Sequence, residues 1–332
     1  MGSEGDNVAK TLTRREFAFG AAALASMRTA YAQSRYPDKP IRVIVPFGAG
    51  GLADVTTRIV GEKLGAILGQ PIVVVNQPGA NGVLAAKAVL AAPADGYTLA
   101  LFTNGTAISA ALPGTQAFDP VREFVPVSGL GVFDFLFVTG AKSPFKSLGD
   151  VIAAAKAQPG TMNIGTISAG SSQNLSGALF KSLTGIDCAI VAFRTTPDVL
   201  TATLRGDVHV AIDGYSAVVS MLKAGEMRAL ATSGPRRFAG LPDLPTAAEA
   251  GVAGFDVTSW NGLFATAGTP LDIVAHVNAG VADALADAGV RATLAELGIT
   301  SNGGPPADIG ARLVADIAKW TDVIARTVPA KP

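Results

Sequence analysis

Two kinds of hydrophobic segment alternate along almost the whole of this 332-residue chain. Short runs of β-branched residues, such as IRVIVPF at 41–47 and PIVVVNQ at 71–77, are typical of buried strands. The longer segments between them carry apolar residues at helical spacing, as from Ala53 to Leu68, where Gly69 marks a helix end. Strands that alternate with helices predict a mostly parallel sheet covered by helices. The chain is therefore predicted to belong to the α/β class.

The chain is predicted to cross between two such sheets. The apolar run VPVSGLGVFDFLFV at 125–138, which glycines interrupt, predicts the first crossover, and GFDVTSWNGLFATAGTP at 254–270 predicts the return. We therefore expect a bilobal fold of two doubly wound, mostly parallel sheets joined by crossover strands. Lobe 1 is discontinuous and comprises 36–138 with 259–332, whereas lobe 2 comprises 139–258. Such a protein can close on a ligand held between its lobes.

The first 32 residues are typical of an export signal. Arg14 and Arg15 form the pair of a twin-arginine-like signal in TRREFAFG, and the small apolar segment AFGAAALA follows directly. The tripeptide AYA at 30–32 suits a signal peptidase, so we expect cleavage near Ala32. The apolar segment is short, which leaves standard Sec export to the same compartment as the alternative. Either route predicts a periplasmic protein.

Composition argues against several classes of partner. The formal net charge is zero, so nothing predicts nucleic acid or an anionic membrane surface as a partner. The chain has one cysteine, Cys188, and its two histidines, His209 and His276, are not at metal-ligand spacing. We therefore expect neither an internal disulfide nor a zinc site.

A glycine-rich turn, GAGGLA at 48–53, lies between the first strand and the first helix. It matches the loose dinucleotide pattern, but a nicotinamide site also needs an acid after the second strand, where this chain has Asn76 and Gln77. The turn also lacks the lysine of a phosphate-binding P-loop. A small anion remains, because unpaired amides at a helix start can hold a carboxylate. Asp54 could simply serve the start of the helix, and a tight turn without a ligand is the other interpretation.

Two further turns follow strands in the same way. GTISAGSSQNLSG at 165–177 supplies serine hydroxyls, although Ser171 or Ser172 alone could be an ordinary helix N-cap. TNGTA at 103–107 is the second of these turns and ends another strand. Elsewhere, Thr196 and Pro197 are predicted to be the N-cap and the first residue of a later helix. Ligands of open α/β sheets bind at the carboxyl ends of strands, where these turns are expected. Two polar turns from separate lobes could grip the two ends of one dicarboxylate.

Catalysis has little support in the sequence. There is no G-x-S-x-G elbow, and in VHVAID the residues His209 and Asp213 lie about 13 Å apart at ~3.3 Å per strand residue. That distance is too long for the hydrogen-bonded pair that activates a nucleophile. We interpret His209 as structural. Asp213 could contact a ligand amino or hydroxyl group or could cap the following helix.

Several segments in one order resemble the substrate-binding receptors of tripartite tricarboxylate transporters, the Bug-type periplasmic receptors. YPDKPIRVIVPFGAGGLAD resembles the opening of that family. PADGYTLAL, LKAGEMRALATS, LPDLPTAAEAG and SWNGLFATAGTP follow in the family's order and spacing. The resemblance covers about residues 36–327.

The resemblance implies a type II periplasmic binding fold without catalysis or a cofactor. In such receptors the ligand carboxylate is held largely by main-chain amides and ordered waters at the first glycine turn, with the serine-rich turn opposite. Asp213 matches the acid on a strand that faces the cleft. Together with the turn at 103–107, these positions give the expected ligand-binding residues, which are Phe47, Gly48, Gly50, Gly51, Asn104, Ser168, Gly170, Ser171, Ser172, Asn174 and Asp213.

This chain departs from the family pattern at two places. Asn174 stands where the serine-rich turn often carries histidine, and Phe193, Arg194 and Thr195 replace a more usual tyrosine-lysine-glycine stretch. Both changes could alter which distal group of a ligand is accepted. We expect a monomeric periplasmic receptor that captures a small organic carboxylate and delivers it to the membrane permease subunits of such a transporter. A NAD-dependent or hydrolytic small-molecule enzyme is the alternative.

Overall fold

The computed structural model describes residues 36–79, 82–112, 114, 117–168 and 171–327. The predicted export signal at 1–32 and the predicted ligand-binding Gly170 lie outside these residues. Two compact units divide the chain after Asp38, and the described helices and strands all belong to the second unit, which begins at Lys39.

The second unit alternates strands with helices, as the hydrophobic pattern predicts. The strands are β1 Ile41–Val45, β2 Ile72–Asn76, β3 Thr98–Thr103, β4 Phe124–Gly140, β5 Met162–Ile167, β6 Cys188–Phe193, β7 Val210–Gly214, β8 Met227–Thr232, β9 Thr258–Thr266 and β10 Thr300–Ser301. The helices are α1 Leu52–Leu68, α2 Val83–Leu90, α3 Asn104–Ala111, α4 Leu148–Ala157, α5 Ser172–Thr184, α6 Thr196–Arg205, α7 Tyr215–Lys223, α8 Leu271–Ala286, α9 Ala288–Glu296 and α10 Pro306–Thr327.

The strands form one continuous sheet in the order β2-β1-β3-β9-β4-β7-β5-β6, and β8 and β10 also pair with β4. Parallel pairs occur in two groups, β2-β1-β3 and β7-β5-β6. Each antiparallel pair among the described residues involves β4 or β9. The sheet is therefore two parallel halves joined by two long antiparallel strands, which are the predicted crossovers.

The long strand β4 belongs to both halves of the sheet. Its residues Phe124 to Asp134 pair with β9, whereas Phe135 to Gly140 pair with β7 and β8. A strand shared in this way connects the two halves through backbone hydrogen bonds. The change of partner falls between Asp134 and Phe135.

Each half has its own apolar core. In the first half the ring of Phe102 lies 4.7 Å from that of Phe124 and 4.6 Å from that of Phe264, measured between centroids. In the second half a buried cluster centres on β4, β7 and α6 and consists of Leu136, Val138, Val199, Leu200, Ala211, Val218 and Met227. These two cores hold the strand ends that carry the site in place.

Candidate functional site

A cleft of about 370 Å³ opens at the carboxyl ends of the parallel strands. Cavities of this size are typical of small-molecule sites. Its lining comes from the segments after β1, β2, β3, β5 and β6, each of which leads into a helix. The lining residues are Pro46, Phe47, Gly48, Ala49, Gly51, Pro78, Gly79, Gly82, Gly105, Thr106, Ile167, Ser168, Ser171, Ala192, Phe193, Arg194, Thr195 and Thr196.

Five helix starts therefore surround one cleft, those of α1, α2, α3, α5 and α6. The N-terminal end of a helix carries a partial positive charge and unpaired N–H groups. Side chains cap α3, α5 and α6, but no side chain caps the start of α1 or α2. The cleft is therefore suited to an anion, and the start of α1 and that of α2 have main-chain donors to offer.

The turn between β1 and α1 is held by Asp54. Gly50 adopts a left-handed conformation with φ +84°, and its N–H donates to Oδ2 of Asp54 at 2.9 Å. Gly50 is not among the residues that line the cleft, whereas Phe47, Gly48 and Gly51 are. Asp54 therefore does serve the helix start, and it leaves the outer part of the turn facing the cleft.

Two neighbours fix the buried carboxylate of Asp54. Arg58 donates to Oδ1 at 3.0 Å, and Asn76 donates to the same atom at 2.9 Å and to the carbonyl of Phe47 at 3.0 Å. Burial raises the pKa of Asp54, but the hydrogen bonds from Arg58, Gly50 and Asn76 and the charge of Arg58 outweigh it, so the pKa is lowered. The charge of Arg58 balances that of Asp54, so the turn does not repel an anion.

The start of α3 contributes Gly105 and Thr106 to the cleft, but not Asn104. Thr103 caps the helix by accepting from the N–H of Gly105 at 3.0 Å. The side chain of Asn104 is buried and its Oδ1 accepts from Nε1 of Trp320 at 2.7 Å. Asn104 therefore ties α3 to α10 and lies behind the cleft wall.

The serine-rich turn after β5 presents Ser168 and Ser171 to the cleft. Ser171 is the N-cap of α5: its Oγ accepts from the N–H of Asn174 at 3.1 Å and donates to the carbonyl of Ile167 at 2.7 Å. The side chain of Asn174 donates to Oγ1 of Thr166 at 3.0 Å and does not line the cleft. Ser171 thus combines the two roles that the sequence left open, helix cap and cleft wall.

The segment after β6 is absent from the expected ligand-binding residues, yet four of its residues line the cleft, Phe193, Arg194, Thr195 and Thr196. The predicted cap was wrong by one residue. Thr195 remains extended and caps α6 by accepting from the N–H of Asp198, so Thr196 is already helical. The signal that could have found this wall is its position, since it follows a strand just as the predicted turns do.

Arg194 is the one charged residue that lines the cleft within the described part of the chain. Its side chain is exposed, and no ion pair to it is formed among the described residues. Arginine can hold a carboxylate with two parallel hydrogen bonds. The second half of the sheet therefore contributes a cation to a cleft that the start of α1 also lines.

Asp213 lies behind the wall rather than on it, and its carboxylate is buried. It accepts from Oγ1 of Thr196 at 2.8 Å, from the N–H of Gly214 at 2.7 Å and from Nε2 of Gln173 at 3.5 Å. Burial is the dominant effect and raises its pKa, against these hydrogen bonds. It does not cap α7, whose N-cap is Gly214 without a side-chain cap. Its contact with Thr196 positions a residue of the cleft wall.

A smaller inner chamber of about 40 Å³ adjoins the cleft, since Phe47, Gly51 and Ile167 line both. Ser172, predicted as a ligand-binding residue, lies here, with its Oγ 3.4 Å from Oγ of Ser259. The chamber extends from the cleft toward β9, where Asn261 forms part of its wall.

Other kinds of site find no support in the described residues. No group of three or more His, Cys, Asp or Glu side chains within them could hold a metal ion. No helix in the same part of the chain is long and apolar enough to span a membrane. Where a nicotinamide site would need an acid, Asn76 instead ties the turn to Asp54.

Comparison with known proteins identifies relatives over most of the chain. The family described as "Tripartite tricarboxylate transporter family receptor" matches residues 56–328. Protein BugT of Bordetella pertussis is 32% identical over 294 residues, which cover 88% of this chain and 90% of that protein. The predicted resemblance is confirmed.

Two of the solved structures that share the fold at more than 30% identity were determined with a bound acid. "R. palustris Rpa4515 with adipate" has a TM-score of 0.84 and 34% identity, and the match covers 88% of this chain and 98% of that one. "MatC (Rpa3494) from Rhodopseudomonas palustris with bound malate" has a TM-score of 0.81 and 33% identity, and the match covers 87% of this chain and 100% of that one. The predicted bilobal, type II periplasmic binding fold is confirmed. The chain belongs to the tripartite tricarboxylate transporter receptor family, whose members are periplasmic solute-binding receptors and not enzymes.

Proposed function

We propose that this protein is exported to the periplasm, closes its two lobes on a small organic carboxylate and delivers it to the membrane permease subunits of a tripartite tricarboxylate-type transporter. The lobes are 36–138 with 259–332 and 139–258, and the receptor acts as a monomer. Export uses the signal at 1–32, with cleavage near Ala32.

The observation that carries this proposal is the convergence of five helix starts on one cleft that has no acidic lining residue within the described chain. Uncapped amides at α1 hold one carboxylate, as helix starts hold anions in general. The ligand is expected to contact Phe47, Gly48 and Gly51 on this side and Ser168, Gly170 and Ser171 on the other, while Gly50, Ser172, Asn104, Asn174 and Asp213 shape the surrounding walls. Arg194 lies where a second carboxylate would meet a cation. The adipate and malate bound to the two similar receptors fit this chemistry.

Thermal unfolding and calorimetry with a panel of mono- and dicarboxylates test the proposal. An acid at about 100 times its Kd stabilises the folded protein by about 2.7 kcal/mol, so at least one member of the panel should raise the melting temperature. NAD⁺ should have no effect. A panel without a single binder, or stabilisation by NAD⁺ alone, would overturn the proposal.

The variant Arg194→Gln tests the second carboxylate. We expect it to weaken binding of a dicarboxylate roughly tenfold, which corresponds to about 1.4 kcal/mol, and to leave the monocarboxylate with the same chain nearly unchanged. Arg205→Gln is the matched control, because Arg205 is exposed at the end of α6, the helix that begins two residues after Arg194. Equal losses of affinity for the dicarboxylate and the monocarboxylate would mean that Arg194 acts only through the electrostatic potential of the cleft and not on a second carboxylate.

A further inference from the structure

The inner chamber is lined by polar side chains that are almost fully buried. Its apolar wall includes Phe47, Phe133 and Phe135. Its polar lining consists of Thr103, Ser172, Gln173, Ser259 and Asn261, each of which is less than a tenth exposed. Polar groups at such depth are normally all hydrogen-bonded. A polar group in this chamber that lacks a hydrogen bond therefore indicates what kind of group the chamber can hold.

Asn261 is the exception among these residues. Its Nδ2 is 3.4 Å from the carbonyl oxygen of Leu52, while its Oδ1 is buried and has no hydrogen-bond partner within the described part of the chain. The other polar side chains have partners: Thr103 caps α3, Ser172 and Ser259 share a hydrogen bond between their hydroxyls, and Gln173 donates to Asp213. A carbonyl oxygen only accepts, so the amide nitrogen of Asn261 faces Leu52, and Oδ1 is the atom left for an occupant.

The position of Asn261 links the chamber to the proposed carboxylate site. Leu52 is the first residue of α1, and its carbonyl also accepts from Oγ1 of Thr56 at 2.6 Å. Asn261 pairs with Thr103 of β3 and Gly131 of β4, in the middle of the sheet, so its backbone is fixed. A group that reaches Oδ1 would thus be attached close to a carboxylate held at the start of α1.

We propose that Asn261 accepts a hydrogen bond from a hydroxyl on the carbon next to the ligand carboxyl, so that the receptor selects 2-hydroxy acids. This inference rests on the proposed function. The chamber of about 40 Å³ exceeds the roughly 10–15 Å³ that one water-sized group requires. No charged side chain lines it within the described residues, so an ammonium or a carboxylate would be buried there without a counter-ion. A neutral donor is the group that satisfies Oδ1.

Calorimetry on two matched pairs tests this selection: malate against succinate, and 2-hydroxyadipate against adipate, with each enantiomer of the hydroxy acids. We expect the wild-type protein to bind at least one hydroxy acid ten or more times more tightly than its unsubstituted partner. A site built around a hydroxyl rejects the analogue that lacks it, because a buried acceptor is then left unpaired. In Asn261→Leu the ratio should fall below about twofold, mainly through weaker binding of the hydroxy acid.

Asn163→Leu is the matched control, since Asn163 lies at the opposite end of β5 and pairs with His209. It should keep the wild-type ratio. If Asn261→Leu does not fold, 2-fluorosuccinate with the wild-type protein decides, because fluorine replaces the hydroxyl without donating, and it should bind like succinate. Four outcomes would each overturn the inference. In the wild type these are equal affinities for the hydroxy acid and its unsubstituted partner, fluorosuccinate binding as tightly as malate, or no binding of either pair. In Asn261→Leu it is an unchanged affinity ratio. Binding of other acids in those cases would leave the proposed function standing.

Discussion

Asp134 lies at the point in β4 where the strand changes its pairing partners. It pairs with Thr258 of β9, while the next residue, Phe135, pairs with Gly214 of β7. Burial and the nearby charge of Asp256 raise its pKa to about 6, against a hydrogen bond from Thr258 and the charge of Arg236. A carboxyl that is half-protonated only at about pH 6 is unusual for aspartate.

Asp134→Asn should make the protein more stable at neutral pH. A carboxyl whose pKa is raised on folding binds its proton more tightly in the folded state, so wild-type stability is lost as pH rises from 3.8 through about 6. The difference between these values corresponds to about 3 kcal/mol. Thermal unfolding should therefore show a higher melting temperature for the variant at pH 7.5 and equal melting temperatures near pH 3.5.

The control for this comparison is Asp243→Asn, which changes an exposed carboxyl. Its melting temperature should follow that of the wild type at every pH. If the melting temperatures of Asp134→Asn and the wild type change in parallel with pH, ionisation of the carboxyl at 134 does not lower the stability of the folded protein. That result would contradict the prediction.

The sequence indicates which side chains lie at strand ends but not which partners they contact. Ser171 needs only its own helix to be recognised as a cap. The buried Oδ1 of Asn104, in contrast, is taken by Trp320, 216 residues later in the chain. Asp213, in β7, accepts a hydrogen bond from Thr196, the first residue of α6. Such contacts depend on how distant elements pack, and no local pattern contains that information.

The start of α1 is the element on which the proposed site depends most. Gly50 has a φ of +84°, a conformation that residues with a side chain rarely adopt, and its N–H is held by Asp54. No atom lies within 4 Å of a Cβ added there, so a side chain would strain the turn without a clash. The turn could then relieve its strain only by moving the amides beside it.

Gly50→Val should abolish most ligand binding while the protein still folds. We expect an affinity loss of at least tenfold by calorimetry and a stability loss of about 1 to 2 kcal/mol by denaturant unfolding. Gly69→Val is the matched control: Gly69 ends the same helix with φ +73°, and a Cβ there also meets nothing within 4 Å. It should lose similar stability but keep its affinity. Equal affinity in the two variants would remove the first turn from the site.

The elements themselves could be predicted where local signals are strong. Helical spacing predicts a helix from about Ala53 to Leu68 that ends at Gly69; the end is confirmed, and α1 begins one residue earlier, at Leu52. The buried face of α1 could not be predicted in the same way, because Asp54, Thr57 and Gly61 are buried on it while Ile67 is partly exposed. Gly61 packs against Ile72, so the closeness of β2 decides which face is covered.

At the scale of the whole molecule, the alternation of strands and helices was enough to predict two parallel sheets and two crossovers. It could not predict that β4 and β9 pair with each other and make the sheet continuous. The expected ligand-binding residues also include none from two of the five walls of the cleft, those after β2 and β6, because strand order decides which strand ends meet. The crossover strands β4 and β9 connect the two halves of the sheet.

Ligand binding is expected to close the two lobes. If a carboxylate bridges the start of α1 and the rim at Arg194, binding should bring the lobes together about β4 and β9, as in hinged binding proteins. Small-angle scattering of the wild-type protein should show a smaller radius of gyration with a saturating acid than without one. Gly50→Val at the same acid concentration should show a smaller decrease than the wild type, because weaker binding leaves more of the variant without ligand. Superimposable profiles for the wild type with and without acid would mean that the two lobes hold their ligand without closing.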